Sequence, residues 1–217
     1  MIDPLLETRD LGVRLGDTPI LRGVDLRVGA GEVVGLIGSN GSGKTTLLRV
    51  AATLLAPTSG EGEVLGAGLT AEQRYEVRSR IGLIGHTPAL YPNLTLEENT
   101  RFVAHLRGAP AGTVRAALDR VGLAGARHRR AVQCSHGMQR RAEFARLLIT
   151  RPDLVLLDEA HAGLDRHAAD LVAFILEDVR RRGGGAMLVS HEHHRMAPLV
   201  DRIVELRNGS VGDWEAA

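Results

Sequence analysis

A glycine-rich run contains the only lysine of the chain, Lys44. The run reads Gly38-Ser39-Asn40-Gly41-Ser42-Gly43-Lys44-Thr45 and matches G-x-x-x-x-G-K-[ST]. All the remaining basic residues, of 27 in total, are arginines. A compact ammonium fits between the β- and γ-phosphates of a nucleotide, where a planar guanidinium would fit poorly. The spacing therefore predicts a nucleoside triphosphate site on a strand–loop–helix unit.

The flanking sequence agrees with this unit. The apolar run Val33 to Ile37 predicts a strand before the loop, and Thr46 to Val50 predicts a helix after it. Backbone N–H groups of the loop and the start of the helix can wrap phosphates. We expect Thr46 to take part in nucleotide binding and the hydroxyl of Thr45 to bind Mg²⁺. The alternative is a glycine-rich turn that only joins a strand to a helix.

Length and charge limit the class of protein. The chain has 217 residues, 44% of them hydrophobic, which suits a single α/β domain over residues 1–217. A formal net charge of +1 argues against a nucleic-acid partner. The arginine clusters at 127–130 and 180–182 are expected on solvated helix faces.

Cysteine content and apolar runs predict a cellular location. The single Cys134 excludes an internal disulfide, and the first residues lack the pattern of a secretory leader, so a cytoplasmic location is expected. No apolar run approaches the roughly 20 residues that a spanning helix needs. Attachment to a membrane would then depend on a partner.

The pattern of strands and helices predicts an α/β fold. Three short strands before the loop, at Leu5 to Thr8, Gly12 to Leu15 and Val24 to Val28, predict an N-terminal antiparallel β sub-domain. Helical periodicity from Leu96 to Leu123 and from Met138 to Ile149 predicts a helical sub-domain at about 88–150. Four later apolar runs predict the other strands of a mostly parallel core sheet. They begin at Ile81, Leu154, Ala186 and Arg202.

Two carboxylates follow the apolar run Leu154 to Leu157. A strand that ends in Asp158-Glu159 would place Asp158 at the sheet edge, where it can hold Mg²⁺ through water. Glu159 is the candidate base that polarises the attacking water. Without the phosphate loop, the same pattern would be read as an ordinary strand end.

The segment before the second helical run has a specific sequence. Cys134-Ser135-His136-Gly137-Met138-Gln139 resembles the Leu-Ser-Gly-Gly-Gln signature of the ATP-binding-cassette ATPases. The order of phosphate loop, signature, Asp-Glu strand and Ser190-His191 is also that of the family, over essentially the whole chain. Taken alone, Ser-x-Gly before a helix would be a helix cap.

The resemblance implies an ATPase with Mg²⁺ and ATP as cofactors. It implies a head-to-tail pair of cassettes, in which Ser135 and Gly137 contact the γ-phosphate held by the other subunit. Lys44, Glu159 and His191 are then the catalytic residues, and His191 helps to hold the water. The segment from Ala162 to Asp165 resembles the family's loop between subunits. An integral membrane permease is the other implied partner, which would place the chain on the inner face of the membrane.

Several positions depart from the family pattern. Leu15 stands where an aromatic residue commonly stacks on adenine, which should weaken base recognition. His86 replaces a glutamine that joins Mg²⁺ and water to the transport partner, and imidazole is a poor ligand for Mg²⁺. Further replacements are Cys134, His136, Met138 and Ala160-His161. The phosphate-facing positions remain, so we expect an active ATPase.

Short matches around Gly85-His86 and Leu94 to Asn99 are similar to one branch of the family, the ATPase subunit of the haem exporter used in cytochrome c maturation. Four other functions remain open: an exporter ATPase for another cargo, a nucleotide-binding module without turnover, a small-molecule kinase, and a cassette that acts on DNA or ribosomes. The last two are disfavoured, because the chain has the signature and no room for coiled-coil insertions. A zinc site at His191 is disfavoured because Arg195 stands where His-Glu-x-x-His needs its second histidine.

Overall fold

A computed structural model describes residues 3–159, 166–191 and 193–214, with backbone alone described at 166–169. Within these residues the strands are β1 (Leu6–Leu15), β2 (Thr18–Val28), β3 (Val33–Ile37), β4 (Ser59–Val64), β5 (Ala67–Gly68), β6 (Ile81–Ile84), β7 (Leu154–Asp158), β8 (Gly185–Val189), β9 (Arg202–Arg207) and β10 (Ser210–Asp213). The α-helices of the described part of the chain are α1 (Lys44–Ala51), α2 (Leu96–Leu106), α3 (Thr113–Arg120), α4 (His136–Thr150), α5 (Arg166–Arg181) and α6 (His193–Met196). Short 3₁₀ segments cover Glu72–Arg80, Ala124–Ala126, Ala131–Gln133 and Ala197–Leu199.

The strands form two sheets. The larger sheet has the order β10-β9-β3-β8-β7-β6, and all its pairs are parallel except β10 with β9. The smaller sheet is antiparallel, with the order β2-β1-β4-β5. The α/β fold with a mostly parallel core sheet and an antiparallel β sub-domain is confirmed. Helices α2, α3 and α4 lie in the predicted helical insert, and the single-domain assignment stays a prediction.

Apolar side chains of the parallel strands are buried on both faces of the core sheet. Along β7, Val155 and Leu157 pack into one core with Phe144 of α4, and Leu154 and Leu156 pack into a second core with Leu47 of α1. All six side chains are fully buried. This two-sided burial explains why the strand reads as a continuous apolar run rather than an alternating one.

The antiparallel sheet is present, but the strands predicted for it were wrong. The two predicted pieces, apart from Leu5, belong to one strand, β1, whose pairing with β2 is irregular near Asp10. Asp10 has a φ of 47°, and its N–H donates to the Asp25 carboxylate at 2.7 Å. The strand therefore bends and continues through residues that lack a strand pattern.

Two strands of the small sheet come from beyond the phosphate loop. In β4 the sequence Ser59-Gly60-Glu61-Gly62-Glu63-Val64 carries few β-branched or aromatic residues, so strand propensity gave no signal for it.

The predicted helical run from Leu96 to Leu123 contains two helices, α2 and α3. The break between them contains Gly108, Pro110 and Gly112, which end one helix and allow the next to start.

Candidate functional site

The carboxyl ends of four neighbouring parallel strands form the site. The phosphate loop follows β3, His191 follows β8, Asp158 ends β7, and His86 follows β6. In the sheet these strands lie side by side in the order β3-β8-β7-β6. Residues that are far apart in sequence therefore meet at one edge, where open α/β sheets bind ligands.

A cavity of about 600 Å³ opens at this edge. Its lining brings together five residues of the predicted loop and Thr46 with His86, the strand-end carboxylates and His191. The lining residues are Ile20, Asn40, Gly41, Gly43, Lys44, Thr45, Thr46, His86, Asp158, Glu159 and His191. Its size suits a small-molecule ligand.

The phosphate loop has the backbone geometry that glycine allows. Gly38 and Gly43 have φ values of 150° and 111°, and Gly43 is the residue before the first turn of α1. A Cβ on Gly38 would lie 2.4 Å from the Leu206 carbonyl oxygen, and one on Gly43 would lie 2.8 Å from a Leu21 methyl carbon. Backbone conformation therefore favours glycine at both positions, and at Gly38 the close backbone oxygen leaves no space for a side chain.

Lys44 is 8% exposed and its ammonium donates to the carbonyls of Gly38 and Ser39, at 2.8 and 2.9 Å. Burial lowers the pKa of Lys44, and the nearby charges of Glu159 and Asp158 oppose that shift. The ammonium thus lies inside the loop with two carboxylates close by. Such a group is suited to counter phosphate charge.

The loop also carries a buried hydroxyl with no partner. Ser42 is 7% exposed, and its Oγ has no hydrogen bond among the described residues. A buried polar atom without a partner is costly, and a phosphate oxygen is one group that would satisfy it. The loop residues therefore fit a bound nucleotide.

The groups predicted to hold Mg²⁺ are in contact. The Thr45 hydroxyl donates to Asp158 Oδ2 at 2.9 Å, and Asp158 is 5% exposed at the end of β7. Hydroxyl and carboxylate oxygens are the ligands that Mg²⁺ prefers. The donor set fits this ion beside the phosphate loop.

The two groups predicted to act on water are also in contact. His191 Nε2 lies 2.6 Å from Glu159 Oε1. Glu159 has a φ of 53°, uncommon for a residue with a side chain, and its N–H donates to the Val189 carbonyl at 3.1 Å. The backbone bond ties the end of β7 to the end of β8, which brings the carboxylate and the imidazole together. Unfavourable backbone geometry of this kind is common at active sites.

The signature residues lie elsewhere. Ser135 is the N-cap of α4, where its Oγ accepts from the Met138 N–H at 3.3 Å. Ser135 is exposed, and a Cβ on Gly137 would meet nothing within 4 Å. Neither residue is among the described residues that line the cavity. Their predicted contact with nucleotide stays a prediction.

Leu15, predicted to contact the base, lies away from the cavity lining. Leu15 is 49% exposed at the end of β1 and is not among the described lining residues, whereas Ile20 of β2 is. Sequence reasoning missed Ile20, which a strand pattern cannot separate from ordinary sheet residues. The segment 160–165, with the predicted intersubunit loop, and Glu192 lie outside the described residues.

Arg140 of α4 is a second residue that the sequence did not single out. It is 2% exposed and donates to the carbonyl of His86 at 2.6 Å. Since arginine is mostly exposed in helices, nothing in the sequence marked it as buried.

Comparison with known proteins identifies the family. Residues 21–162 match the model of the ABC transporter family. The lipoprotein-releasing system ATP-binding protein LolD of Anaeromyxobacter dehalogenans (strain 2CP-C) is 42% identical over 203 residues, which cover 89% of this chain and 85% of LolD. The cytochrome c biogenesis ATP-binding export protein CcmA of Cupriavidus pinatubonensis (strain JMP 134 / LMG 1197) is 36% identical over 207 residues, covering 94% and 90%.

A solved structure described as an ATP-binding subunit of an ABC transporter superposes with a TM-score of 0.88. It is 29% identical in sequence, and the match covers 96% of this chain and 90% of that one. Among the described residues no helix is long and apolar enough to cross a membrane. The chain belongs to the ABC transporter family, as an ATP-hydrolysing ATP-binding subunit of a transporter.

Proposed function

We propose that the cavity binds Mg-ATP and that hydrolysis there powers a membrane permease. The observation that carries this proposal is the pairing of the Thr45–Asp158 contact with the Glu159–His191 contact around one buried lysine. Lys44 would counter the charge of the β- and γ-phosphates, and Thr45 and Asp158 would hold Mg²⁺, Asp158 through water. The ion supplies further charge neutralisation when bound.

Glu159 and His191 would act on the attacking water. A carboxylate that accepts a proton from water makes it a better nucleophile, and His191, in contact with that carboxylate, keeps its orientation. His191 can also donate to the γ-phosphate. Asn40, Gly41 and the rest of the loop would hold the phosphates with backbone N–H groups.

A second cassette would complete the site. Ser135 and Gly137 lie at the start of α4, outside this chain's own cavity, and helix N-termini favour anions. We infer that two cassettes pair head to tail, so that each signature faces the other's nucleotide. The second cassette is a copy of this chain or a related one.

Gly137→Asp tests this composite site. The new carboxylate fits sterically, because a Cβ at 137 meets nothing within 4 Å. It would face the γ-phosphate of the other subunit, where like charges cost several kcal/mol, so we expect phosphate release to fall by about 100-fold. ATP affinity measured by calorimetry on the single chain should not change.

Gly125→Asp is the matched control, since Gly125 is exposed and equally open. It adds the same charge away from the signature and should leave phosphate release unchanged. Equal loss in both variants, or full activity of Gly137→Asp, would contradict the composite site.

Leu15→Tyr tests recognition of the base. If adenine lies beside residue 15, a tyrosine ring would tighten ATP by roughly 0.5–1.5 kcal/mol through ring stacking. Calorimetry with ATP on the variant and on Ile20→Ala, which changes a lining residue, would separate the two positions. Unaltered ATP affinity of Leu15→Tyr would show that the base lies elsewhere.

The cargo is the finer part of the proposal. A haem exporter of cytochrome c maturation is the candidate from the short sequence matches and from the similarity to CcmA. The similarity to LolD favours lipoprotein release as the second candidate. The permease would hold this subunit at the inner face of the membrane and contact the cargo itself. Identifying the membrane protein that co-purifies with this chain in mild detergent distinguishes the two.

A further inference from the structure

Three charged residues on one face of α4 contact the segment that follows β6. Arg140, Glu143 and Arg146 are spaced by three residues, which places them along the same side of a helix. Arg140 and Glu143 are 2% and 4% exposed. The segment is 85–89, whose second residue, His86, lines the nucleotide cavity. A buried ion pair thus lies directly against the backbone of a cavity residue.

The contacts are directed at backbone groups. Arg140 Nη1 donates to the Gly85 carbonyl at 2.7 Å and to Glu143 Oε2 at 2.8 Å, and Nη2 donates to the His86 carbonyl. Glu143 Oε1 accepts from the Ala89 N–H at 2.8 Å. Arg146 donates to the Ala89 carbonyl at 2.7 Å. Four backbone groups of this short segment are therefore bonded to a single helix.

Stability alone does not explain this arrangement. Burial lowers the pKa of Arg140 and raises the pKa of Glu143, and the charge of each opposes the shift of the other. Replacing a buried ion pair by apolar side chains of similar size is often neutral or stabilising. What apolar side chains cannot supply is directional hydrogen bonding to chosen carbonyl and N–H groups. The pair is suited to fixing the position of a backbone segment.

We propose that Arg140 and Glu143 are positioning residues, which hold His86 at the nucleotide cavity and fix it relative to the start of α4, where Ser135 and Gly137 lie. We call these two residues the Arg140–Glu143 clamp. This role rests on the proposed function, since it assumes that His86 faces nucleotide. The clamp acts through the backbone of His86, and its own side chains do not line the cavity.

The double variant Arg140→Met/Glu143→Met tests the clamp. Methionine is unbranched and adaptable, so it can fill the space of both side chains while removing their hydrogen bonds. We expect the variant to fold, kcat for ATP to fall about tenfold or more, and KM to stay within about twofold, because misplacing a group by 1 Å can cost 100-fold in rate. The His86 imidazole signal, assigned by NMR with His86→Gln, should lose its response to Mg-ADP, while the His191 signal keeps its response.

Arg107→Met is the matched control. Arg107 also joins two backbone carbonyls, those of Ser79 and Thr150, at 3.0 and 2.9 Å, but away from His86. Its loss should leave kcat and both histidine signals unchanged. A folded double variant with wild-type kcat and a wild-type His86 response would overturn the proposal.

A measurement on the wild-type chain covers the case in which the double variant does not fold. The clamp requires the Ala89 amide to exchange its hydrogen slowly, and exchange at the rate of an open loop would overturn the clamp. If the wild-type chain releases no phosphate with Mg-ATP, the proposed function fails instead. The exchange measurement and the histidine signals would still decide whether the clamp holds His86.

Discussion

Lys44→Ala is expected to abolish ATP binding at millimolar nucleotide while the fold remains intact. The ammonium lies within the loop, bonded to two loop carbonyls and close to Asp158 and Glu159. In the complex it would instead bond β- and γ-phosphate oxygens, and hydrogen bonds between charged groups contribute roughly 1.5–3 kcal/mol each. Losing two of them would weaken binding by at least about 100-fold. Isothermal calorimetry with ATP measures this loss directly.

Arg49→Ala is the control for that experiment. Arg49 is the other cation of α1 and is exposed, away from the cavity lining. Its removal lowers the net charge equally but should not change ATP affinity. Unchanged affinity of Lys44→Ala would exclude this loop as the nucleotide site.

Glu159→Gln is expected to keep ATP binding and lose turnover. The amide has the shape of the carboxylate, and its oxygen can still approach water, but it cannot take a proton. Loss of a general base lowers rates by about 10²- to 10⁴-fold. Bound ATP would then persist, and since the proposed site needs two cassettes, the variant should form a dimer with Mg-ATP. Phosphate release and light scattering measure the two effects.

Two comparisons make this result specific. Glu177→Gln removes a carboxylate of α5 that is half exposed and pairs with Arg181, and it should retain wild-type turnover. Adding Gly137→Asp to Glu159→Gln should dissociate the dimer, because the new carboxylate would repel the γ-phosphate. A dimer that persists without ATP and with Gly137→Asp would count against the head-to-tail arrangement.

The phosphate loop and the strands beside it could be predicted from sequence because their residues are specified locally. Gly38 and Gly43 have conformations that only glycine adopts readily. β8 and β7 up to Leu157 are apolar because both faces of the sheet are covered. The carboxylates at the end of β7 then followed from its position. Local sequence patterns were therefore sufficient to predict the phosphate loop and the carboxylates at the end of β7.

Other parts depend on contacts between distant segments. β4 has little strand propensity and pairs with β1 across more than 40 residues of sequence, so its place is set by the partner strand. Arg140 is buried only because the segment after β6 and Glu143 supply its hydrogen-bond partners. Ile20 reaches the cavity through the packing of β2 near Gly43, whose added Cβ would lie 3.2 Å from the Ile20 carbonyl oxygen. None of these contacts can be recognised from a short stretch of sequence.

The order of the core sheet has a consequence for how the chain folds. The strands that carry the site, β3, β8, β7 and β6, pair in an order different from their order along the chain, and β3 pairs with β8 although about 150 residues separate them. Contacts of this kind form slowly, because distant segments must meet before they are stabilised. A partly folded chain that lacks β8 has neither the Glu159–His191 contact nor a complete cavity. A nucleotide bound at the proposed site would contact residues from all four strands, so by mass action it would shift the equilibrium toward the native state.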